Sequence, residues 1–369
     1  MKKIKVGVIF GGQSGEHEVS VVSARAIIDN LDKTKYDVIP LAVLPNGLWL
    51  NNNESNKYLL SADVSKIKKL SSKTKQSNTL VPLTDYDNRP FDVIFPIIHG
   101  TSGEDGKIQG LFELAKIPFV GSEVIGSAVG MDKIIQKQLF DQAGIPVVEY
   151  QQILLPQWKK TRRTVIKNIN TRLKYPVFVK PANQGSSVGI NKVNNKASLV
   201  KAINIGFKFD HKVIVEEAVA NAREFECAIL GNENPIASTV GEVIPGNEFY
   251  DYDAKYVDEN SLTIVPAKIP KKLIKIIRHI SIKAFMTINA IGMARVDFLY
   301  NKKTRKLFLN EINTVPGFVS ISMYPKLWQA SGISYARLLD KLIKLAIQRH
   351  NSKTKLSTKY KTNNWYKKT

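Results

Sequence analysis

Near the end of the chain, apolar and polar residues alternate in two short runs, 294–300 and 306–313, separated by a polar, turn-like stretch at 301–305. Period-two alternation predicts strands, and the short connection predicts that they pair antiparallel as a hairpin. Successive strand side chains point to opposite faces, and a loop of about three or five residues keeps odd-numbered positions together. Arg295, Asp297, Glu311 and Asn313 are therefore expected on one face, with the two carboxylates directly or diagonally opposed. Like charges so placed repel unless something positive lies between them. A Mg²⁺ ion, which takes oxygen ligands and completes its shell with phosphate and water, meets that need. So does the bland alternative, an exposed hairpin face on which Arg295 is the salt-bridge partner of both acids.

The first third of the chain alternates strand and helix patterns, with a strand at 4–10, a helix at 19–31 and a strand at 36–44, an order that implies a parallel α/β sheet. After a weakly ordered stretch at 51–77, a strand at 91–98 restores the sheet and ends at His99, at the carboxyl edge where open α/β sheets bind ligands. A helix at 132–142 is bounded by Asp132 as N-cap and by Gly144 and Pro146 as stop. Strands at 176–180 and 188–193 then enclose a Gly/Ser loop, and another strand lies at 212–216. A larger unit carries several strands, the acidic hairpin and amphipathic helices at 271–290 and 334–348. The expected class is mixed α/β and α+β: an N-terminal Rossmann-like parallel domain (1–122), a central unit (123–215), a C-terminal unit (216–350) and a basic disordered tail (351–369).

Composition narrows the function classes. With 369 residues and 43% hydrophobic content the chain can bury several cores. No apolar stretch is long enough to cross a bilayer, and the N-terminus runs directly into a strand, so a cytoplasmic protein without membrane association is expected. The single cysteine, Cys227, lies in an apolar strand-like run and reads as a buried, inert thiol. A net charge of +22 raises nucleic acid as a partner. The lysines, however, are dispersed and peak in two polar segments without interleaved aromatics, so no nucleic acid is expected.

The segment from Lys180 to Gly189 places two glycines and the hydroxyls of Ser186 and Ser187 between strands, a composition suited to phosphate. Taken alone it reads first as an ordinary Gly/Ser hairpin turn. It is not a P-loop, since no G-x-x-x-x-G-K occurs, and no two glycines are spaced two apart, which excludes G-x-G-x-x-G.

Taken with the hairpin, this order of motifs resembles the ATP-grasp superfamily, in which two α+β units hold ATP between them. The segments 11–20, 99–106, 131–133, 180–189, 250–256 and 310–317 together resemble the D-alanine:D-alanine ligases, and the match extends from residue 4 to about residue 347. The resemblance implies a two-part ATP-grasp fold behind the N-terminal domain, ATP as co-substrate, two Mg²⁺ ions (replaceable by Mn²⁺) on Asp297, Glu311 and Asn313, D-alanine as substrate and a homodimer. The implied reaction is attack of one D-alanine carboxylate on the γ-phosphate, then attack of a second D-alanine amine on the acyl phosphate, giving the dipeptide for peptidoglycan precursors.

In that resemblance Lys133 and Lys180 match contacts to the α- and β-phosphates and Lys255 the γ-phosphate contact, with Ser186 and Ser187 in the phosphate loop. Glu216 and Glu224 match positions that hold adenine and ribose, although each is otherwise readable as a surface acid. Arg295 and the Gly317 amide match donors to a tetrahedral oxyanion. Glu16 matches the acid that binds the first ammonium group, and its place in a first helical turn also suits the helix dipole. His99 matches a residue near the first D-alanine, with a core histidine as its alternative. Ser322 matches the group that binds the second carboxylate, or is a plain helix-start serine. Tyr256 matches a lid residue that bonds toward Ser186 and Glu16 and favours an amine over D-lactate, whereas relatives making the depsipeptide carry Phe or His there. The nearest alternative is a D-alanine:D-lactate ligase; one of another class is a non-catalytic nucleotide- or nucleic-acid-binding protein. Gln184 departs from the family pattern, where an apolar residue is common.

Overall fold

The computed structural model describes residues 2–60, 90–244 and 262–357. Lys255, Tyr256 and the tyrosines at 250 and 252 lie outside them.

Strands β1 (Ile4–Gly11), β2 (Tyr36–Val43) and β3 (Val93–Pro96) form a parallel sheet in the order β2-β1-β3, as the alternation of strand and helix implied. Helix His17–Asn30 packs on it and buries Val21, Ala24 and Ile27, the i, i+3, i+6 stripe of an amphipathic helix. One expectation fails here. The first part of the segment read as weakly ordered is the helix Asn52–Leu60, which buries Ser55, Tyr58 and Leu59 on one side. Its asparagine-rich outer face hid a three-residue inner stripe. Tyr58 reaches the buried His17, with the hydroxyl 2.7 Å from Nε2.

The second unit is an antiparallel sheet, β4 (Tyr150–Leu154), β5 (Val177–Pro181), β6 (Asn191–Val193) and β7 (Lys212–Glu217), in the order β4-β7-β5-β6. Helix Lys133–Gln142 precedes it, and Asp132 caps that helix as expected, Oδ1 accepting from the amides of Ile134 and Ile135.

The third unit has the order β10-β9-β8-β11-β12, from β8 (Ala222–Gly231), β9 (Ile236–Ile244), β10 (Leu262–Ile264), β11 (Gly292–Asn301) and β12 (Lys306–Asn313). Helix Lys271–Thr287 covers one face, helices Met323–Ala330 and Tyr335–Lys353 the other. The last of these runs past residue 350, where a disordered tail was expected to begin. Lys353 is tied to Glu113 at 3.0 Å and to Glu123 at 3.3 Å, ion pairs with a distant segment that no local pattern announces. Cys227 is wholly buried in β8, and burial pushes its thiol up to about 11, consistent with an inert side chain. Among the described residues no helix is long and apolar enough to cross a membrane.

Candidate active site

The hairpin forms, but by a different route from the one the alternation suggests. Asn301 pairs with Lys306, so the loop is the four residues 302–305, and an even loop alone would put Asn310, not Glu311, opposite Asp297. A β-bulge between Asp297 and Phe298 corrects the parity: Phe298 faces Leu309, Asp297 faces Glu311 and Arg295 faces Asn313. The bulge was legible in the spacing of the inward apolar residues. Leu307 and Leu309 keep period two, and the next core residue is Ile312, three positions on.

β8 flanks β11 on its other side and sets Glu226 opposite Asp297, so three carboxylates, Glu226, Asp297 and Glu311, cross the sheet in one row. Arg295 neutralises part of it, donating to both Asp297 oxygens at 2.7 and 2.6 Å and standing 3.1 Å from Glu226. Burial by itself would lower the Arg295 pKa, but Asp297 and Glu226 override it and hold the guanidinium firmly charged. The bland reading of an exposed, salt-bridged face is half right: Arg295 does pair with Asp297, yet their side chains are only 15% and 14% exposed.

Two cavities meet at this row. The larger, about 160 Å³, is lined by Val148, Phe178, Lys180, Glu216, Glu224 and Phe298 among others. Glu216 is no surface acid: Lys180 Nζ lies 2.6 Å from one oxygen and Lys137 Nζ 3.1 Å from the other. Burial alone would raise its carboxyl, but Lys137 and Lys180 reverse that and hold it down to about 2. Lys180 is raised against its burial by the same acid.

The smaller cavity, about 80 Å³, is lined by Glu16, His99, Glu104, Lys133, Ser186, Asn313 and Gly317 among others. Ser186 donates to Glu16, the contact that joins the Gly/Ser loop to the N-terminal unit. A Cβ on Gly185 would stand 2.7 Å from a Glu16 oxygen, so a side chain there would displace that carboxylate. Ser186 and Ser187 have φ of 44° and 60°, a left-handed pair that costs energy for residues with a Cβ and turns the loop tightly. Lys133 donates to the Gln184 carbonyl at 2.7 Å and stands 3.7 Å from Glu311.

His99 is buried; its Nδ1 donates to the Val315 carbonyl at 3.1 Å and lies 3.5 Å from Glu104. Burial lowers the imidazole pKa, but Glu104 more than compensates and the net direction is upward. Burial likewise raises Glu104. Asn313 Oδ1 accepts from the Val315 amide at 2.9 Å, and Gly317 abuts Ser322, whose hydroxyl a Gly317 Cβ would meet at 2.7 Å. Ser322 does stand at a helix start but makes no side-chain cap there.

Of the predicted site residues within the described regions, Glu16, His99, Lys133, Ser186, Arg295, Glu311, Asn313 and Gly317 line the smaller cavity, and Lys180, Ser187, Glu216, Glu224, Arg295, Asp297 and Glu311 the larger. Arg295 and Glu311 border both. Glu104, Glu226 and Lys137 were missed. Lys137 had a signal: it falls between Ile134 and Phe140 in the buried i, i+3, i+6 stripe of its helix.

The donor set of Asp297, Glu311 and Asn313 is all oxygen, the chemistry of a hard divalent cation, and is too small to fill such a cation's shell alone. Among the described residues no group of three or more His, Cys, Asp or Glu is placed to hold a metal ion by itself. By oxygen chemistry the set would suit such a cation only with phosphate and water completing its shell, and Arg295 engages both Asp297 oxygens.

The comparisons with known proteins cover nearly the whole chain. Residues 5–122 match the family model described as the D-ala D-ala ligase N-terminus, and residues 139–344 the D-ala D-ala ligase C-terminus. The D-alanine–D-alanine ligase of Ruminiclostridium cellulolyticum is 47% identical over 365 residues, 95% of this chain and 97% of that one. Among solved structures, the D-alanine-D-alanine ligase from Coxiella burnetii superposes with a TM-score of 0.82 at 35% identity, covering 96% of this chain and 97% of that one. A D-Ala:D-Ser ligase from Enterococcus faecalis gives 0.79 at 35% identity, covering 94% of this chain and 100% of that one. With both family models matched in chain order and such coverage, the chain belongs to the D-alanine–D-alanine ligase family.

Proposed function

We propose that the protein joins two D-alanine molecules, using ATP and releasing ADP and phosphate, in the cytoplasm. The observation that carries this reading is the pair of cavities sharing Arg295 and Glu311, which lets a nucleotide and an amino acid meet at one point. ATP would lie in the larger cavity, its base between the apolar walls and near Glu216, its ribose near Glu224 and its phosphates toward Lys180, Lys133 and the Gly/Ser loop. Mg²⁺ held by Asp297, Glu311 and Asn313 would neutralise charge on the transferring phosphoryl group.

The first D-alanine fits the smaller cavity, its ammonium against Glu16 and its carboxylate directed at the γ-phosphate. Attack there forms the acyl phosphate. The second amine then attacks the acyl carbon and phosphate departs; Arg295 and the Gly317 amide would donate to the tetrahedral oxyanion, and Ser322, beside Gly317, would bind the second carboxylate. For Lys255 and Tyr256, as for the homodimer, support is the family resemblance alone.

Purified protein with ATP, Mg²⁺ and D-alanine should release phosphate and accumulate the dipeptide, read by mass analysis. In a mixture of D-alanine with D-lactate at neutral pH the dipeptide should dominate. Dominant depsipeptide would replace this reading with the D-lactate one, and no D-alanine-dependent phosphate release would remove it.

A further inference from the structure

Lys137 is 1% exposed and borders neither cavity, yet its ammonium touches a wall group of the larger one and the strand that borders both. Nζ lies 3.1 Å from Glu216 Oε1 and donates to the Asn310 carbonyl at 3.2 Å. Asn310 is the residue that the β12 bulge leaves without a partner on β11. β12 is an edge strand, and helix Lys133–Gln142 with the turn after it takes over its outward backbone groups: Gln136 Oε1 accepts from the Ile312 amide at 3.1 Å and the Pro146 carbonyl from Leu309 at 2.8 Å. Core packing alone would be better served by an apolar side chain at 137, because burial penalises the ammonium there and Lys180 adds like charge.

We propose that Lys137 is a positioning residue that grips Glu216 and the Asn310 bulge together, fixing the nucleotide-side acid and the register of Glu311 and Asn313 as one unit. Glu216 offsets only part of the cost of burying it, and Lys180 alone would hold that acid from one side only. The inference rests on the nucleotide reading of the larger cavity. Lys137 directly touches Glu216 and Asn310, both of which line the larger cavity, and no residue that lines only the smaller one.

The test compares full-length wild type with Lys137→Met, which keeps chain length and removes the charge. Expected is a rise of about tenfold or more in both the KM for ATP and the Mg²⁺ concentration for half-maximal activity, with the KM for D-alanine unchanged. Lys137→Gln retains a donor for the Asn310 carbonyl without the charge, so it should raise the KM for ATP while leaving the Mg²⁺ dependence close to wild type. Binding of ADP with Mg²⁺, read by titration calorimetry, should weaken in parallel with the KM for ATP. Folded variants with wild-type ATP and Mg²⁺ dependence, or with all KM values raised alike, would overturn the inference and make Lys137 a core ion. Should Lys137→Met not fold, the Gln variant decides: a raised KM for ATP with an unchanged KM for D-alanine supports the inference, and a wild-type KM for ATP, or both raised alike, overturns it. Wild type without D-alanine-dependent phosphate release would instead remove the functional reading itself.

Discussion

The larger cavity is walled mainly by strands, whereas half of the smaller one's lining comes from loops, and their charges are handled differently. In the larger one, side chains from β5, β7, β8 and β11 give apolar surfaces around a buried ion cluster of Glu216, Lys137 and Lys180. Its shape is set by sheet register. In the smaller one, Glu16, His99, Glu104, Ser186 and Gly317 come from segments far apart in sequence, and hydrogen bonds between loops close it. A flat, largely apolar ring suits the first and a small zwitterion the second. The row of Glu226, Asp297 and Glu311 is where the two designs meet, so variants on either side of it should fail in distinguishable ways.

The largest effect is expected at the shared wall. Glu311→Gln should lower turnover by about 10³-fold, corresponding to several kcal/mol of lost charge stabilisation, while the circular dichroism spectrum stays that of wild type. Relieving one carboxylate of a repelling row should not unfold the hairpin. Wild-type activity in this variant would return the hairpin to a structural role.

On the strand-walled side, Glu216→Ala leaves two buried ammonium groups without their acid and should destabilise the fold by about 3–5 kcal/mol, measured by denaturant titration. Because the Glu216 carboxyl sits near 2, below its ordinary 4.5, its stabilisation is present above about pH 4.5 and lost as pH falls toward 2. Glu216→Gln should flatten the acid limb of the stability curve in that window.

On the loop-walled side, Gly317→Ala would press a methyl toward the Ser322 hydroxyl at 2.7 Å. It should reduce kcat/KM for D-alanine by about 10- to 100-fold and leave ADP binding unchanged, by steady-state kinetics and calorimetry. Equal losses toward both substrates would erase the distinction between the cavities. The smallest effect concerns His99. Its pKa is raised in the fold, so its contribution to stability is complete below about pH 6.5 and fades as pH rises through the folded value. Thermal melts of His99→Asn between pH 5 and 9 should lack that component.

How much of this was legible in the sequence divides along the same line. The smaller cavity was legible mainly through the family resemblance, which assigned Glu16, His99 and Gly317, while Ser186 and Asn313 were also marked by the Gly/Ser loop and by the hairpin's alternation. The larger cavity was legible only in outline. Glu216 and Glu224 had no signal separating them from surface acids, because their burial depends on which strands of two sheets face each other. Lys137 was hidden in the opposite way, within an apolar stripe that reads as core. The hairpin's face assignment was correct although the loop-length argument for it was not. An even loop and a bulge give the same register as an odd loop without one, and only the phase slip between Leu309 and Ile312 distinguishes them. The helix Asn52–Leu60 and the extension of the last helix to Lys353 were missed because tertiary contacts, to His17 and to Glu113 and Glu123, support residues of weak local preference.

The most direct test of two ligands meeting at one acidic row is a crystal structure with ADP, Mg²⁺ and a phosphorylated analogue of the D-alanine addition intermediate. Adenine should lie in the larger cavity beside Glu216, the amino-acid portion against Glu16 and His99, and the phosphoryl group between Arg295 and Glu311. An amino-acid portion in the larger cavity, or both ligands on one side of the row, would contradict the account.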